Sequence, residues 1–343
     1  MRIAQLCPLW ESVPPPAYGG TELVVSLLAE GLVRLGHDVT LFASGDSTTS
    51  ARLRWVVPRS LRLNPQVTDP SPYEWTHIVL SLKGADQFDI VHNHAGGLAM
   101  LCAHFLSTPM LTTCHGPLEP DKKIIWDNYP GYFNTISRSA KRHMPDRNYL
   151  GVVYNAIDVE TFPFSQHKDD FLLFLSRLSP QKGPQYAIEV ARRLGKRLIL
   201  AGKIDPYWDG DFFERQIQPL IDGYQVKYVG EADSRTKREL YKRASCLLLP
   251  ITWEEPFGLV MVEAMACGTP VIAFNRGSAR EIIVHGVTGY VASDIDEMTK
   301  WAAETAAIDP QRCREHVRTH FHAERMVRDY LALYNKVLDL QQS

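Results

Sequence analysis

Apolar residues in this chain gather in short runs, each followed by a glycine- or proline-rich turn and then by a stretch of helical period. The first run, Ile3 to Leu6, ends in a loop containing Pro14, Pro15 and Pro16. From Thr21 the period changes: Leu23, Leu27, Leu28, Leu32 and Leu35 fall on one side of a helix that Gly36 closes. Strands are predicted next at Asp38–Phe42, Phe88–His92 and Met110–Thr113, with spacing that leaves room for crossover helices. Strand, turn and helix in repetition predict a doubly wound parallel sheet, a Rossmann-like half.

Between residues 159 and 170 the text is polar and without period, and the change of domain is placed there. A second series follows, with strands at 171–176, 197–202, 226–230, 246–250 and 270–274 and a helix through Tyr186 to Leu194. A last helix from about Phe321 to Leu340 is carried by Met326, Tyr330, Leu333 and Val337. The expectation is therefore α/β, two Rossmann-like halves facing across a cleft, with functional residues in the loops that follow strands.

Composition narrows the function classes. At 343 residues, 45% hydrophobic and 22% charged, the chain has the makeup of an ordinary globular protein of two domains. Lys plus Arg number 37 against 39 Asp plus Glu, so no basic excess draws the whole chain onto nucleic acid, and any anion must be met locally. The six cysteines form no C-x-x-C pair and read as reduced thiols of a cytoplasmic protein. The apolar start is too short and too broken for a signal peptide, and no window approaches the ~20 apolar residues of a membrane span. Peripheral contact with a membrane surface is left open.

Three loops carry candidate chemistry. Gly19 and Gly20 stand between the first strand and the first helix, where free backbone N–H groups and the helix dipole suit a phosphate. Neither G-x-G-x-x-G nor G-x-x-x-x-G-K-[ST] occurs, which lowers the dehydrogenase and P-loop readings. Arg177 and Lys182 share the loop after the strand at 171–176, and can converge on one diphosphate, Arg as a planar fork and Lys as a point charge. In the third loop, Pro256 is expected at the first position of a helix in which Glu263 is the one carboxylate among apolar residues, and so needs a hydroxyl or cation partner. If residues 255–263 are helical throughout, Glu255 and Glu263 stand ~12 Å apart, too far for a glycosidase acid and base.

Other features receive plainer readings. His92, His94, Cys114 and His115 lack zinc-type spacing and are read as strand-end packing at the cleft. Trp126, Tyr129, Trp208 and Trp253 are read as core anchors, and Arg138, Lys141 and Arg142 as a solvated helix face.

The segment E-P-F-G-L-V-M-V-E-A-M-A-C-G-T-P-V-I, from Glu255 to Ile272, resembles the E-x7-E signature of the retaining, nucleotide-sugar-dependent glycosyltransferases of the GT-B fold, the glycosyltransferase 4 type. Five further segments agree with that family in order: the Gly19-Gly20 turn, Y-N-A-I-D at 154–158, R-L-S-P-Q-K-G at 177–183, V-G-E at 229–231 and H-G-V-T-G-Y-V at 285–291. The resemblance implies an acceptor-side domain of residues 1–160 plus 322–343, with the last helix crossing back, and a donor-binding domain of residues 161–321.

It further implies that Arg177 and Lys182 clasp the donor diphosphate, aided by backbone N–H groups of Gly19-Gly20 and of the Phe257-Gly258-Leu259 stretch. Glu255 would face the hydroxyls of the transferred sugar, Glu263 the ribose, and His115 would stand beside the transferred sugar. The reaction expected is transfer of a hexose from a nucleoside diphosphate sugar, UDP ahead of GDP, to an acceptor hydroxyl in glycan or glycoconjugate synthesis. The acceptor class ranges over a saccharide, a lipid-linked glycan and a small molecule, because the loop from Trp10 to Pro16 follows no general pattern. Neither a cofactor nor a metal is expected, with no D-x-D seen at the end of a predicted strand. A sugar-nucleotide epimerase and a non-catalytic nucleotide-sugar binding protein are the alternatives.

Overall fold

The computed structural model describes residues 1–342 apart from 63, 117–119, 143–146 and 206–207. It divides into two compact units, Met1–Ala156 with Ala323–Ser343, and Ile157–His322.

In the first unit the strands are β1 (Arg2–Leu6), β2 (Asp38–Phe42), β3 (Arg52–Arg54), β4 (Ile90–Asn93), β5 (Met110–Cys114), β6 (Tyr132–Thr135) and β7 (Tyr149–Val152). They form one parallel sheet in the order β3-β2-β1-β4-β5-β6-β7. The central strands are buried almost throughout because helices cover both faces of such a sheet, and they carry polar Gln5, His92, Asn93, Thr112 and Thr113 among their apolar residues. The helix Gly20–Arg34 and the last helix, Ala323–Gln342, pack on each other in this unit. Their contact is close enough that a Cβ on Gly31 would lie 2.4 Å from Val327 Cγ2.

In the second unit β8 (Phe171–Leu175), β9 (Arg197–Ala201), β10 (Val226–Tyr228), β11 (Cys246–Leu249), β12 (Val271–Phe274) and β13 (Gly289–Ala292) form a parallel sheet in the order β10-β9-β8-β11-β12-β13. Apart from Arg197 and Lys227, its strands read as nearly unbroken apolar runs. Both sheets reverse strand order beside their first strand, between β1 and β4 and between β8 and β11. A doubly wound sheet opens a crevice at that point, outside the carboxyl ends of the strands.

Two plainer readings change. Trp208 is 82% exposed and anchors no core. Trp253 is half-buried with its indole N–H bonded in a loop.

Candidate functional site

Because β8 and β11 are neighbours, the loops that leave their carboxyl ends meet. Arg177 stands two residues beyond β8, and Lys182 ends the short 3-10 turn Pro180–Lys182. Gly183 follows at φ 73°, and a Cβ there would lie 2.1 Å from the Pro250 carbonyl oxygen, so only glycine lets the two loops approach. The Thr252 N–H donates to the Gln181 carbonyl at 2.9 Å and joins them.

Lys182 Nζ donates to Glu255 Oε2, which also accepts from Trp253 Nε1 at 3.0 Å. The same ammonium lies 4.7 Å from the centroid of the Trp253 ring, within reach of a cation–π attraction. On the same loop as Lys182, Arg177 Nε is 3.2 Å from Asp209 Oδ2. Burial pushes the Asp209 carboxyl above its ordinary value, against the downward pull of Arg177. In the second unit, then, each candidate cation is held by a carboxylate.

The segment after Glu255 departs from expectation. Pro256 is not the first helical residue; the helix is Leu259–Ala266, with Gly258 at its N-cap in the left-handed region, φ 77°. The reason lies in Ser278, whose N–H donates to the Glu255 carbonyl at 3.0 Å and whose Oγ donates to the Phe257 carbonyl at 2.7 Å. Carbonyls that a longer helix would use internally are thereby bonded outside it, and the helical-rise separation of Glu255 and Glu263 does not apply. Phe257 is buried, its ring set edge-on to Phe321 at 5.8 Å. The N-cap glycine brings no capping side chain, and the Met261 N–H donates to the Gly258 carbonyl at 3.0 Å, so the N–H groups of Leu259 and Val260 are those a helix leaves without internal partners.

Glu263 is buried in that helix and has the kind of partners its position demanded. Lys237 Nζ donates to Oε1 at 2.7 Å and Tyr241 OH donates to Oε2 at 3.0 Å. Both come from the helix Ser234–Arg243. Burial, and then the Glu263 charge, push the Tyr241 phenol well above its usual range, which keeps it a donor.

The remaining candidates lie in the first unit. Gly19 is the N-cap of Gly20–Arg34 at φ 138°, and a Cβ there would lie 2.8 Å from Pro15 Cβ. In the first turn, Glu22 is 5% exposed, and its pKa is raised to about 7, by burial first and with the Glu11 charge adding to it. His115 follows β5 directly, and its Nε2 is 2.8 Å from His94 Nδ1. Burial lowers the His115 pKa to about 4 and those of His92 and His94 well below their ordinary value, so all three rings are neutral near pH 7.

Sequence reasoning also passed over a D-x-D at the end of a strand. Asp294 and Asp296 come just after β13, which the sequence pattern did not suggest. Both are otherwise engaged: Asp294 caps the helix Ile295–Ala303 by accepting from the Glu297 N–H at 2.9 Å, and Asp296 accepts from Arg193 Nη1 at 2.6 Å. Among the described residues no group of three or more His, Cys, Asp or Glu is arranged to hold a metal ion.

Asp209, Lys237, Tyr241 and Gln5 were also missed as partners of candidate residues. Lys237 and Tyr241, four apart, share one helix face, which is the only signal they offered. Asp209 opens a second D-x-D, Asp209-Gly210-Asp211, which stands away from any strand end and was likewise passed over.

Comparison with known proteins agrees along most of the chain. The family model for glycosyl transferases group 1 matches residues 159–315, and that for Glycosyltransferase Family 4 matches residues 18–161. An uncharacterized glycosyltransferase of Methanocaldococcus jannaschii is 28% identical over 338 residues, covering 84% of each chain. The crystal structure of AviGT4, a glycosyltransferase involved in avilamycin A biosynthesis, superimposes with a TM-score of 0.77 at 27% identity, over 99% of this chain and 98% of that one. Anabaena HepE in complex with UDP-glucose shares the fold, with a TM-score of 0.75 at 19% identity over 98% of this chain and 100% of that one. With both parallel sheets, the ordered motifs and the two matching family models in agreement, this chain belongs to the GT-B glycosyltransferases of the glycosyltransferase 4 type.

Proposed function

We propose that this glycosyltransferase is a retaining, metal-independent hexosyltransferase that uses a nucleoside diphosphate sugar, UDP-sugar ahead of GDP-sugar, and serves glycan or glycoconjugate synthesis. The observation that carries this reading is the pair of cations on the loop after β8, Lys182 being poised against Glu255 and Trp253 at the sheet's switch point. As the bond from the anomeric carbon to the diphosphate breaks, negative charge grows on the leaving oxygen. Arg177, Lys182 and the helix start at Gly258-Leu259 supply the preorganised positive field that stabilises it. The acceptor oxygen bonds to the anomeric carbon on the face the diphosphate leaves, and the acceptor proton passes to the departing phosphate. Glu255 holds hydroxyls of the transferred sugar, Glu263 the ribose, and His115 a hydroxyl of the sugar. On this reading the donor phosphate takes Lys182 over from Glu255, which frees Glu255 to accept from the sugar.

Lys182→Ala, assayed with purified protein and UDP-, GDP- and ADP-sugars beside a hydroxyl acceptor panel, is expected to lower kcat/KM on the order of 10- to 100-fold, the worth of one charge-assisted bond. Turnover is expected to persist in excess EDTA. An unchanged rate in a folded variant removes Lys182 from the donor site, and loss of activity in EDTA that Mn²⁺ restores overturns the metal-independent reading. Choice of base is read from which diphosphate raises the melting temperature most.

A further inference from the structure

His115 is the outer end of a hydrogen-bonded chain that runs through the interior of the first unit. Its Nε2 meets His94 Nδ1 at 2.8 Å, and His94 Nε2 meets Gln5 Oε1 at 2.8 Å. Gln5 Nε2 donates to Tyr334 OH at 2.8 Å, Tyr334 OH meets His92 Nδ1 at 2.6 Å, and His92 Nε2 meets Thr113 Oγ1 at 2.6 Å. Thr113 Oγ1 then donates to Asn134 Oδ1 at 2.7 Å. Gln5, His92 and Thr113 come from β1, β4 and β5, which are adjacent, and Tyr334 from the last helix.

Each link fixes the next. Thr113 gives its only proton to Asn134, so it accepts from His92, which is then protonated on Nε2 and bare on Nδ1. Tyr334, having accepted from the Gln5 amide, donates to that bare nitrogen. At the other side of Gln5, a carbonyl oxygen can only accept, so His94 is also protonated on Nε2 and bare on Nδ1. A bare His94 Nδ1 needs a donor, and the atom facing it is His115 Nε2. One neutral imidazole carries one N–H, and here it is committed inward.

We infer that His94, itself ordered by Gln5 and Tyr334, is a positioning residue that locks His115 in the Nε2–H tautomer, so that His115 offers a ligand Nδ1 as an acceptor and takes a hydrogen bond from a sugar hydroxyl. This rests on the placement of His115 beside the transferred sugar given above. The alternative is the same chain with every donor reversed, which needs both the Gln5 and the Asn134 amides turned over and makes His115 Nδ1 a donor. A hydroxyl is indifferent to that reversal, but a sugar carbon bearing fluorine in place of the hydroxyl is not, since fluorine has no proton to give.

The test is the tautomer itself. Long-range ¹H–¹⁵N correlation spectra of the full chain labelled at histidine report, for each ring, which nitrogen is protonated, and His115→Ala assigns the His115 signals. The expected result near pH 7.5 is a protonated Nε2 and a bare Nδ1 for His115, His94 and His92 alike. A protonated Nδ1 at His115 overturns the inference whatever the His94 variants do. His94→Phe, which removes the inward acceptor, is expected to release His115 into a mixture of tautomers and to lower kcat/KM about tenfold. His94→Asn, which keeps an amide oxygen near the Nδ1 locus, is expected to retain the tautomer and most of the rate. An unaltered His115 tautomer in folded His94→Phe removes His94 from the positioning role. If the spectra are as expected but His115→Ala turns over at the wild-type rate, the tautomer lock stands and the placement of His115 at the sugar falls, so the two failures are separable.

Discussion

Glu22 sits where a helix start favours an anion, yet burial beside Glu11 holds its carboxyl at about pKa 7. In the unfolded chain it titrates near its ordinary value of 4.5. Between those two values the folded state keeps a proton that the unfolded state has lost, so stability falls as pH rises through the window and levels off above it. The cost of the ionised form is on the order of 3 kcal/mol. Glu22→Gln is expected to melt with the wild type at about pH 4.5 and above it at pH 8, with the gap in Tm widening between. A gap that does not change with pH would remove Glu22 as its source. At this scale the sequence made plain the residues that carry charge in motifs, Arg177, Lys182, Glu255 and Glu263. It did not disclose their partners, nor the chain behind His115, because Gln5 and Tyr334 are 329 positions apart and only the folded sheet brings them together. The need of Glu263 for a cation or hydroxyl was legible from its apolar neighbours; that Lys237 and Tyr241 meet it was not.

Among the elements, the contact between Gly20–Arg34 and Ala323–Gln342 depends on the missing side chain at Gly31. A β-carbon there would lie 2.4 Å from Val327 Cγ2 and 3.3 Å from Val327 Cβ. Val327 is branched at Cβ and has little rotamer freedom in a helix to move aside. Alanine for glycine gains about 1 kcal/mol of helix propensity, but overpacking costs about 1–3 kcal/mol, so Gly31→Ala is expected to lower stability on balance. Combined with Val327→Ala, the same change is expected to be stabilising relative to Val327→Ala alone, and a denaturation double-mutant cycle measures that coupling. Strict additivity would show that the helices separate freely. Strands that bury both faces were read from the sequence almost to the residue, as at Asp38–Phe42 and Met110–Cys114. Those missed are of other kinds. β3 is three residues with arginine at each end, β6 carries buried Asn134 and Thr135 that only their hydrogen bonds make tolerable, β7 is half-buried, and β13 opens on Gly289. A Cβ on Gly289 would lie 1.9 Å from the Val271 carbonyl oxygen, so the residue that most disguised this strand is required for its pairing with β12.

For the molecule as a whole, the last helix supplies the first unit with Met326, Val327, Tyr330, Leu333, Tyr334 and Val337, all buried. Two of these are polar at the tip, and through Tyr334 they satisfy Gln5 and His92 on β1 and β4. Removing them strands buried donors and acceptors as well as apolar area, a combination that a small domain withstands poorly. A chain ending at His322 is therefore expected to lose protease resistance across residues 1–156 while residues 157–322 keep theirs. Equal resistance of both parts, read by mass spectrometry of the fragments, would refute this. The family's two-sheet architecture was legible from the repeated strand, turn and helix. That the last helix joins the first unit was legible only through the family resemblance, since no local pattern states which sheet a terminal helix joins.

That division has a consequence for birth order. A ribosome emits the first 156 residues, then all of the second unit, and only then the helix that completes the first. At roughly 5–20 residues per second the interval lasts on the order of ten to thirty seconds. During that time the strands of the first unit are present but their closing helix does not yet exist, whereas the second unit has its whole sequence in hand as soon as it has emerged. The half made first is thus the half finished last, and any chaperone that attends this chain during synthesis has its work at the amino-terminal sheet.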